Sequence, residues 1–157
     1  MNDQDLKMAF DSLKNLVILL LGNPNQPHEC ISNVGFVGFV NNCTLLEDVA
    51  FTFIPNLQDS GIEALTRVCR RLSTLNLMNC SSLSDDSLES LKNYQNIQKL
   101  GLKGLFRFTL SGLTKIGEHC PTLLKFSVDL EPSVDITLGL QSLATHCHNL
   151  KELSLKF

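Results

Sequence analysis

The feature that most constrains this chain is a short apolar pattern, L-x-x-L-x-L with apolar substitutions, that occurs six times. The copies begin at Leu16, Leu46, Leu72, Ile97, Leu123 and Leu150, and the steps between them are 30, 26, 25, 26 and 27 residues. A pattern that returns at nearly constant spacing predicts stacked units, because a single unit cannot bury its own apolar face. We therefore expect one repeat domain over residues 1–157, with a degenerate first repeat and loop at 1–30 and about five repeats at 31–157, the last one incomplete.

A second set of residues, at one fixed position in each unit, supports this division into repeats, and we call this set the cysteine column. The residue three positions before the apolar pattern is a cysteine in four units: Cys43, Cys69, Cys120 and Cys147. In the fourth unit either Tyr94 or Gln95 takes this place. Ahead of these positions apolar residues recur at a spacing of three, which is typical of one face of a helix.

The helix before Cys43 is assigned from Ile31, Val34 and Val37, which follow the same spacing. The overlapping run from Phe36 to Val40, FVGFV, is interpreted as packing within the helical layer. An amphipathic membrane contact is the alternative for this run.

Each unit is thus predicted to contain a short strand, a turn and a helix of about three turns. Stacking aligns the strands in parallel and buries their leucines against the helices in one continuous core. The pattern therefore predicts an α/β solenoid, a right-handed βα horseshoe with parallel strands on the concave face and helices on the convex face.

One repeat carries a more specific pattern. The segment CRRLSTLNLMNCSSLSDDSLESL, Cys69 to Leu91, resembles the cysteine-containing subclass of leucine-rich repeats, whose pattern is close to C-x-x-L-x-x-L-x-L-x-x-C-x-x-[IL]-[ST]-D-x-x-[IL]. The matching residues are Cys69, Leu72, Leu75, Leu77, Cys80, Leu83, Ser84, Asp85 and Leu88. The match is looser in the neighbouring repeats, where Ile54 and Leu105 replace the second cysteine.

Repeats of this subclass are best known from the F-box/leucine-rich-repeat substrate receptors of SCF-type ubiquitin ligases. The resemblance implies a module that recognises substrates for ubiquitin-dependent degradation, with ligase subunits as further partners. No segment here resembles an F-box, so a stand-alone scaffold or inhibitor of one protein is the alternative. The array stops inside a strand, at LKELSLKF, and we expect a fragment, a truncated gene model or an end that a partner covers.

The charge composition favours a protein partner over nucleic acid. The net charge is -3, with interspersed signs and no basic stripe of the kind that binds phosphate backbones. The N-terminus lacks the basic start of a secretory signal, and the apolar run from Leu16 to Leu21 is too short to span a bilayer. We therefore expect a cytoplasmic or nuclear protein without nucleic-acid or membrane partners.

The cysteine column predicts buried structural thiols, with disulfides as the alternative. The neighbouring pairs His119–Cys120 and His146–Cys147 offer zinc ligands, but their spacing is the repeat period and not that of a zinc knuckle. Helix-end packing of both histidines is the preferred interpretation. Because motifs for nucleophilic, metalloprotease or phosphate-binding chemistry are also missing, we expect no enzymatic activity, no metal and no other cofactor.

Strand geometry predicts the interaction surface, since residues between the buried leucines point to the opposite face of the sheet. The predicted protein-binding residues of this concave face are Asp48, Thr52, Thr74, Asn76, Met78, Lys99, Lys103, Lys125, Ser127, Asp129, Glu152 and Lys156. Lys99, Lys103 and Lys125 lie on adjacent strands, which favours contact with an acidic or phosphorylated element of the partner. A merely solvated polar face is the alternative.

Overall fold

The computed structural model describes residues 3–92, 94–130 and 135–156. Its strands are β1 Ile18–Gly22, β2 Asp48–Thr52, β3 Thr74–Met78, β4 Lys99–Lys103, β5 Lys125–Asp129 and β6 Glu152–Lys156. Its α-helices are α1 Asp3–Phe10, α2 Asn33–Val40, α3 Asp59–Val68, α4 Leu110–His119 and α5 Thr137–His146. A 3-10 helix, Asp85–Leu91, takes the place of an α-helix between β3 and β4.

The strands form one sheet in sequence order, and every neighbouring pair is parallel. The register follows the apolar repeat, so that Leu75 pairs with Val49 on one side and with Leu100 on the other. From β1 to β5 the second and fourth residues of each strand are buried, because alternate residues of a strand share one face. These observations confirm the predicted parallel sheet with alternating strands and helices.

The inward column of α2 differs from the one assigned from the sequence. Phe36, Phe39 and Val40 are buried, whereas Val34 is 81% exposed and Val37 is half-buried. Phe36 and Phe39 precede the buried pair Ile62 and Leu65 of α3 by 26 residues, which is also the step from Cys43 to Cys69. The assignment of Val34 and Val37 is therefore wrong, and Phe36 and Phe39 occupy this face.

The cysteine column is buried, as predicted, and its thiols are free. Its members are linked across repeats by hydrogen bonds to backbone carbonyls. Cys69 Sγ donates to Cys43 O at 3.1 Å, and Cys147 Sγ donates to Cys120 O at 3.4 Å. Tyr94 is the member from the fourth unit, since its buried hydroxyl donates to Cys69 O while Gln95 is exposed.

A second ladder joins the helix N-termini of successive repeats. A side-chain oxygen at the start of one helix accepts a hydrogen bond from the backbone N–H of the N-cap residue of the next helix. The acceptors are Asp3, Asn33, Asp59 and Asp85, and their respective donors are Ser32, Gln58, Ser84 and Thr109. Three of these acceptors are carboxylates that also accept from the donor's hydroxyl. The N-cap N–H groups of α2, α3, the 3-10 helix and α4 are thus each satisfied by the preceding repeat, whereas α5 does not share this contact within the described ranges.

Gly112 leaves the space in which the Asp85 carboxylate accepts its hydrogen bonds from Thr109 at the start of α4. A Cβ built on Gly112 would lie 2.3 Å from Asp85 Oδ1, so any larger residue would displace the carboxylate from Thr109. In the Ser84-Asp85 pair the serine receives the capping contact from the preceding repeat, and the aspartate provides it for the following one. In this repeat, the [ST]-D element thus links its helix start by hydrogen bonds to the helix starts of both neighbouring repeats.

The two edges of the sheet differ in how well they are covered. At β1, Leu19 and Leu21 are buried, and α1 packs beside α2 with Leu6 fully enclosed. At β6, Leu153 is 41% exposed and Leu155 is half-buried. None of the helices in the described ranges has the length and apolar character needed to cross a membrane.

Candidate protein-binding surface

The face of the sheet opposite the core is formed by the first, third and fifth residue of each strand, and we call it the open face. Every residue of the predicted binding surface occupies one of these positions. Alternation along the strand fixes this placement, because the residues in between are held in the core. The structure therefore brings the predicted residues together on one continuous surface.

Thr74 is the exception in exposure. It lies on the open face in register between Asp48 and Lys99, yet only 7% of its surface is accessible. Thr74 therefore lies in the floor of the open face, where it lines the depression described below, and its contact with a partner stays a prediction.

The three lysines are not equivalent. Lys125 Nζ lies 2.6 Å from Glu152 Oε2 on the adjacent strand, and this hydrogen bond lowers the pKa of the Glu152 carboxyl. Lys99 and Lys103 form no ion pair within the described ranges. Two of these three lysines are therefore available to a partner, and both lie on β4; Lys156 on β6 is a further open-face lysine without an ion pair among the described residues.

A depression on the open face lies beside Lys99. It has a volume of about 160 Å³, and its polar lining comes from Thr74, Asn76, Lys99, Lys125, Ser127 and Glu152. Gly101 lies next to Lys99 on this face of β4 and is buried, because the Asn76 side chain covers it: a Cβ placed on Gly101 would lie 2.3 Å from Asn76 Oδ1 and 3.3 Å from Ser127 Oγ. Lys125 is held there by the Glu152 carboxylate, so Lys99 is the lining ammonium without an ion pair among the described residues. An unpaired ammonium beside amide and hydroxyl donors suits a carboxylate or phosphate group.

The open face also differs in charge from the rest of the chain. It carries Lys99, Lys103, Lys125 and Lys156 against Asp48, Asp129 and Glu152, which gives a formal charge of +1 on a chain of net charge -3. In formal charge the open face is therefore slightly cationic, whereas the chain as a whole is anionic.

The sequence-based selection missed the β1 end of the open face. Ile18 and Leu20 lie there and are 57% and 71% exposed, respectively. They pair in register with Asp48 and Ala50, so extending each column back by the first repeat step of 30 residues would have found them. The predicted columns begin at the second repeat, because the first one is degenerate in sequence.

The histidines beside the cysteine column contact backbone carbonyls. His119 Nδ1 lies 3.2 Å from Leu88 O, and His146 Nδ1 lies 2.9 Å from Ser142 O. Across residues 3–92, 94–130 and 135–156, no group of three or more histidine, cysteine, aspartate or glutamate side chains is arranged to hold a metal ion. Both rings therefore pack at helix ends in the described structure.

Burial also determines the chemistry of the column thiols. It raises the pKa of Cys120 to about 12, with a smaller contribution from Cys147, and it raises the pKa of Cys69 to about 12 in the same way. Because the thiolate is the nucleophilic form, these thiols are unreactive near neutral pH. Their hydrogen bonds and burial give them a structural role.

Stability should fall in alkaline solution because of these thiols. The unfolded chain releases the Cys120 proton near the ordinary pKa of 9.0, whereas the folded chain keeps it until about 12. The stabilising contribution is complete below pH 9 and decreases as pH rises toward 12, by about 1.4 kcal/mol per thiol between pH 7.5 and 10. Urea unfolding in reducing buffer at both pH values should show a smaller pH dependence for Cys120→Ala than for the wild type. Cys30→Ala removes an exposed thiol and should behave as the wild type; equal pH dependence in all three proteins would contradict the prediction.

The parallel sheet, the alternating helices and the repeat-to-repeat ladders define a leucine-rich-repeat-like α/β protein. Comparison with solved structures agrees on the fold. A chain in the crystal structure of the Rad7 and Elc1 complex in yeast matches 100% of this chain at 17% sequence identity and a TM-score of 0.78. This chain spans only 38% of the length of that one.

Two further solved structures share the fold. The tropomodulin C-terminal domain of Caenorhabditis elegans matches 79% of this chain and 82% of its own length, at 13% identity and a TM-score of 0.59. Actin-binding site 2 of leiomodin-1 matches 94% of this chain and 87% of its own length, at 14% identity and a TM-score of 0.59. No protein-family model and no curated protein sequence matches the chain. At these identities the comparisons establish the fold alone.

Proposed function

We propose that this chain is a protein-binding leucine-rich-repeat module that recognises substrates for an SCF-type ubiquitin ligase. The observation that carries the binding role is the open face, where Lys99 and Lys103 form no ion pair among the described residues and Lys99 lines the depression. An acidic or phosphorylated segment of the substrate contacts these lysines. The chain itself acts by binding and carries out no catalysis.

One consideration supports the ligase context and a second supports protein binding. The Cys69–Leu91 repeat resembles the subclass found in F-box/leucine-rich-repeat receptors. A chain of the same fold, with a TM-score of 0.78, belongs to a complex of two proteins, Rad7 and Elc1. In this proposal the array curves as a horseshoe with the open face on its concave side, so that a bound segment meets several strands at once.

Charge reversal on β4 tests the binding role. The double variant Lys99→Glu/Lys103→Glu should lower capture of the partner at least tenfold, or about 1.4 kcal/mol, because two favourable charge contacts become repulsive. The immobilised chain is incubated with native lysate, and bound proteins are quantified by mass spectrometry. The matched control, Arg67→Glu/Lys92→Glu, makes the same charge change at exposed positions on the helical side and should leave capture unchanged.

The same measurement separates the ligase role from simple binding. A charge-sensitive client recovered together with cullin and the SCF adaptor supports both parts of the proposal. Clients that bind equally well to the wild type and the β4 variant would contradict the open-face site, even if ligase subunits are present.

A stand-alone scaffold is the second candidate function. Its specific support is that two chains of this fold are a tropomodulin C-terminal domain and a leiomodin-1 actin-binding site. A charge-sensitive client that arrives without any ligase subunit would favour this function over the first.

A further inference from the structure

The open face has a polarity gradient from one edge to the middle. At β1 the first and third residues are Ile18 and Leu20, both exposed, and Val17 immediately before them is also exposed. At β4 the corresponding residues are Lys99 and Gly101, with Lys103 at the far end. An apolar surface and a cationic surface therefore lie on the same face.

The separation of these two surfaces has a definite length. Three strand steps lie between β1 and β4. At a spacing of about 4.8 Å per step, the two surfaces are roughly 14 Å apart. An extended peptide advances about 3.3 Å per residue, so four or five residues cover this distance. A single short segment laid across the strands can therefore contact both.

The residues between the two surfaces leave this path open. Ala50 and Asn76 occupy the third position of β2 and β3, and Gly101 occupies it on β4. Side chains therefore become no larger than an amide along the middle column after Leu20. Asp48, in register beside Ile18, adds a negative charge next to the apolar surface. An acidic residue is thus disfavoured at the β1 end and favoured at the β4 end, which fixes which end of the bound segment lies over each strand, whatever the chain direction.

We propose that the open face binds an extended partner segment in which one large apolar residue is followed or preceded, four or five positions away, by acidic or phosphorylated residues. The apolar residue packs on Ile18 and Leu20, and the acidic group lies at Lys99 and the depression that Lys99 lines. This proposal rests on the proposed function, because it uses the same face and the same lysines. It adds an apolar subsite and a spacing rule for the partner.

Selection from a random peptide library tests the spacing rule without knowledge of the natural partner. A library of 16-residue peptides displayed on phage is selected on the immobilised full chain, and the enriched sequences are aligned. The probe set then consists of synthetic peptides with a leucine and a pair of aspartates or phosphoserines separated by one to eight residues. Fluorescence anisotropy measures their affinities for the wild type and for two variants. The first variant is Ile18→Ser/Leu20→Ser, and the second is Lys99→Glu/Lys103→Glu.

The first variant, Ile18→Ser/Leu20→Ser, should weaken the peptides with a four- or five-residue separation about tenfold, since burial of an apolar side chain is lost. It should leave peptides without the leucine unaffected. Val34→Ser is the matched control, because Val34 is equally apolar and exposed but lies on α2. Circular dichroism of each variant verifies that the fold is retained.

The outcomes distinguish this inference from the proposed function. An enriched pattern with an apolar residue four or five positions from acidic residues, and lost binding in the Ile18/Leu20 variant, supports the inference. Acidic peptides that bind through β4 but gain nothing from the leucine at any separation overturn the apolar subsite and leave the proposed function standing. Peptides that bind the second variant, Lys99→Glu/Lys103→Glu, as tightly as they bind the wild type would overturn both the inference and the proposed function.

Discussion

Replacing Phe36 with alanine is expected to lower the free energy of unfolding by about 3–5 kcal/mol, the cost of emptying a fully buried aromatic site. The Phe36 ring is completely enclosed and lies 4.9 Å, between ring centroids, from both Phe39 and Phe51. Both contacts are edge-to-face, so the truncation removes two favourable ring pairs and leaves a cavity between α2 and β2. Urea unfolding followed by circular dichroism measures the change.

The matched control for this prediction is Val34→Ala in the same helix. Val34 is almost fully exposed, so its truncation should change the free energy of unfolding by less than about 0.5 kcal/mol. If Phe36→Ala does not fold, Phe36→Leu provides a graded variant, whose cost should lie between those of Val34→Ala and Phe36→Ala because it keeps part of the buried apolar volume. A larger loss from Val34→Ala than from Phe36→Ala would restore the assignment made from the sequence.

Replacing Asp85 with alanine is expected to cost about 2–3 kcal/mol, since hydrogen bonds to a charged acceptor contribute more than neutral ones. Its Oδ1 accepts from the backbone N–H of Thr109 at 2.9 Å, and its Oδ2 accepts from the Thr109 hydroxyl. Both donors belong to the start of α4, so their loss should also weaken the packing of α4 on the 3-10 helix. Thermal and urea unfolding measure the loss.

Asp86→Ala provides the comparison, because it removes the neighbouring carboxylate from the same helical turn. Asp86 is exposed, and its side chain does not take part in the ladder. Any general effect of negative charge near the helix N-terminus is shared by both variants. Equal losses in Asp85→Ala and Asp86→Ala would show that charge at the helix start matters and that the ladder does not.

The repeat frame can be predicted because its signal is local and is present many times over. A strand residue faces the core or the open face according to its parity, and the step between repeats fixes which residues are neighbours on adjacent strands. For this reason the sequence alone assigns the buried apolar pairs of β1 to β5 correctly, and it places the residues between them on the opposite face of the sheet.

Individual side chains are less predictable where the local pattern is ambiguous. α2 is apolar around nearly its whole circumference, so Val34 and Val37 fit a helical spacing as well as Phe36 and Phe39 do. Only packing against Phe10 and Phe51 selects between the two columns. The sequence leaves the choice between Tyr94 and Gln95 open for the same kind of reason, and the hydrogen bond to Cys69 decides it.

The sequence by itself determined the parallel sheet, its register and the residues that share its open face, because periodicity and alternation along the chain specify all three. Tertiary structure alone decided that Thr74 is sheltered, that Lys125 is held by Glu152 and that Asp85 supports Thr109. Each of these depends on which side chain of the adjacent repeat comes within contact distance. That distance depends on how repeats stack, which brings together residues about 25 positions apart. A pattern within one repeat therefore cannot predict it.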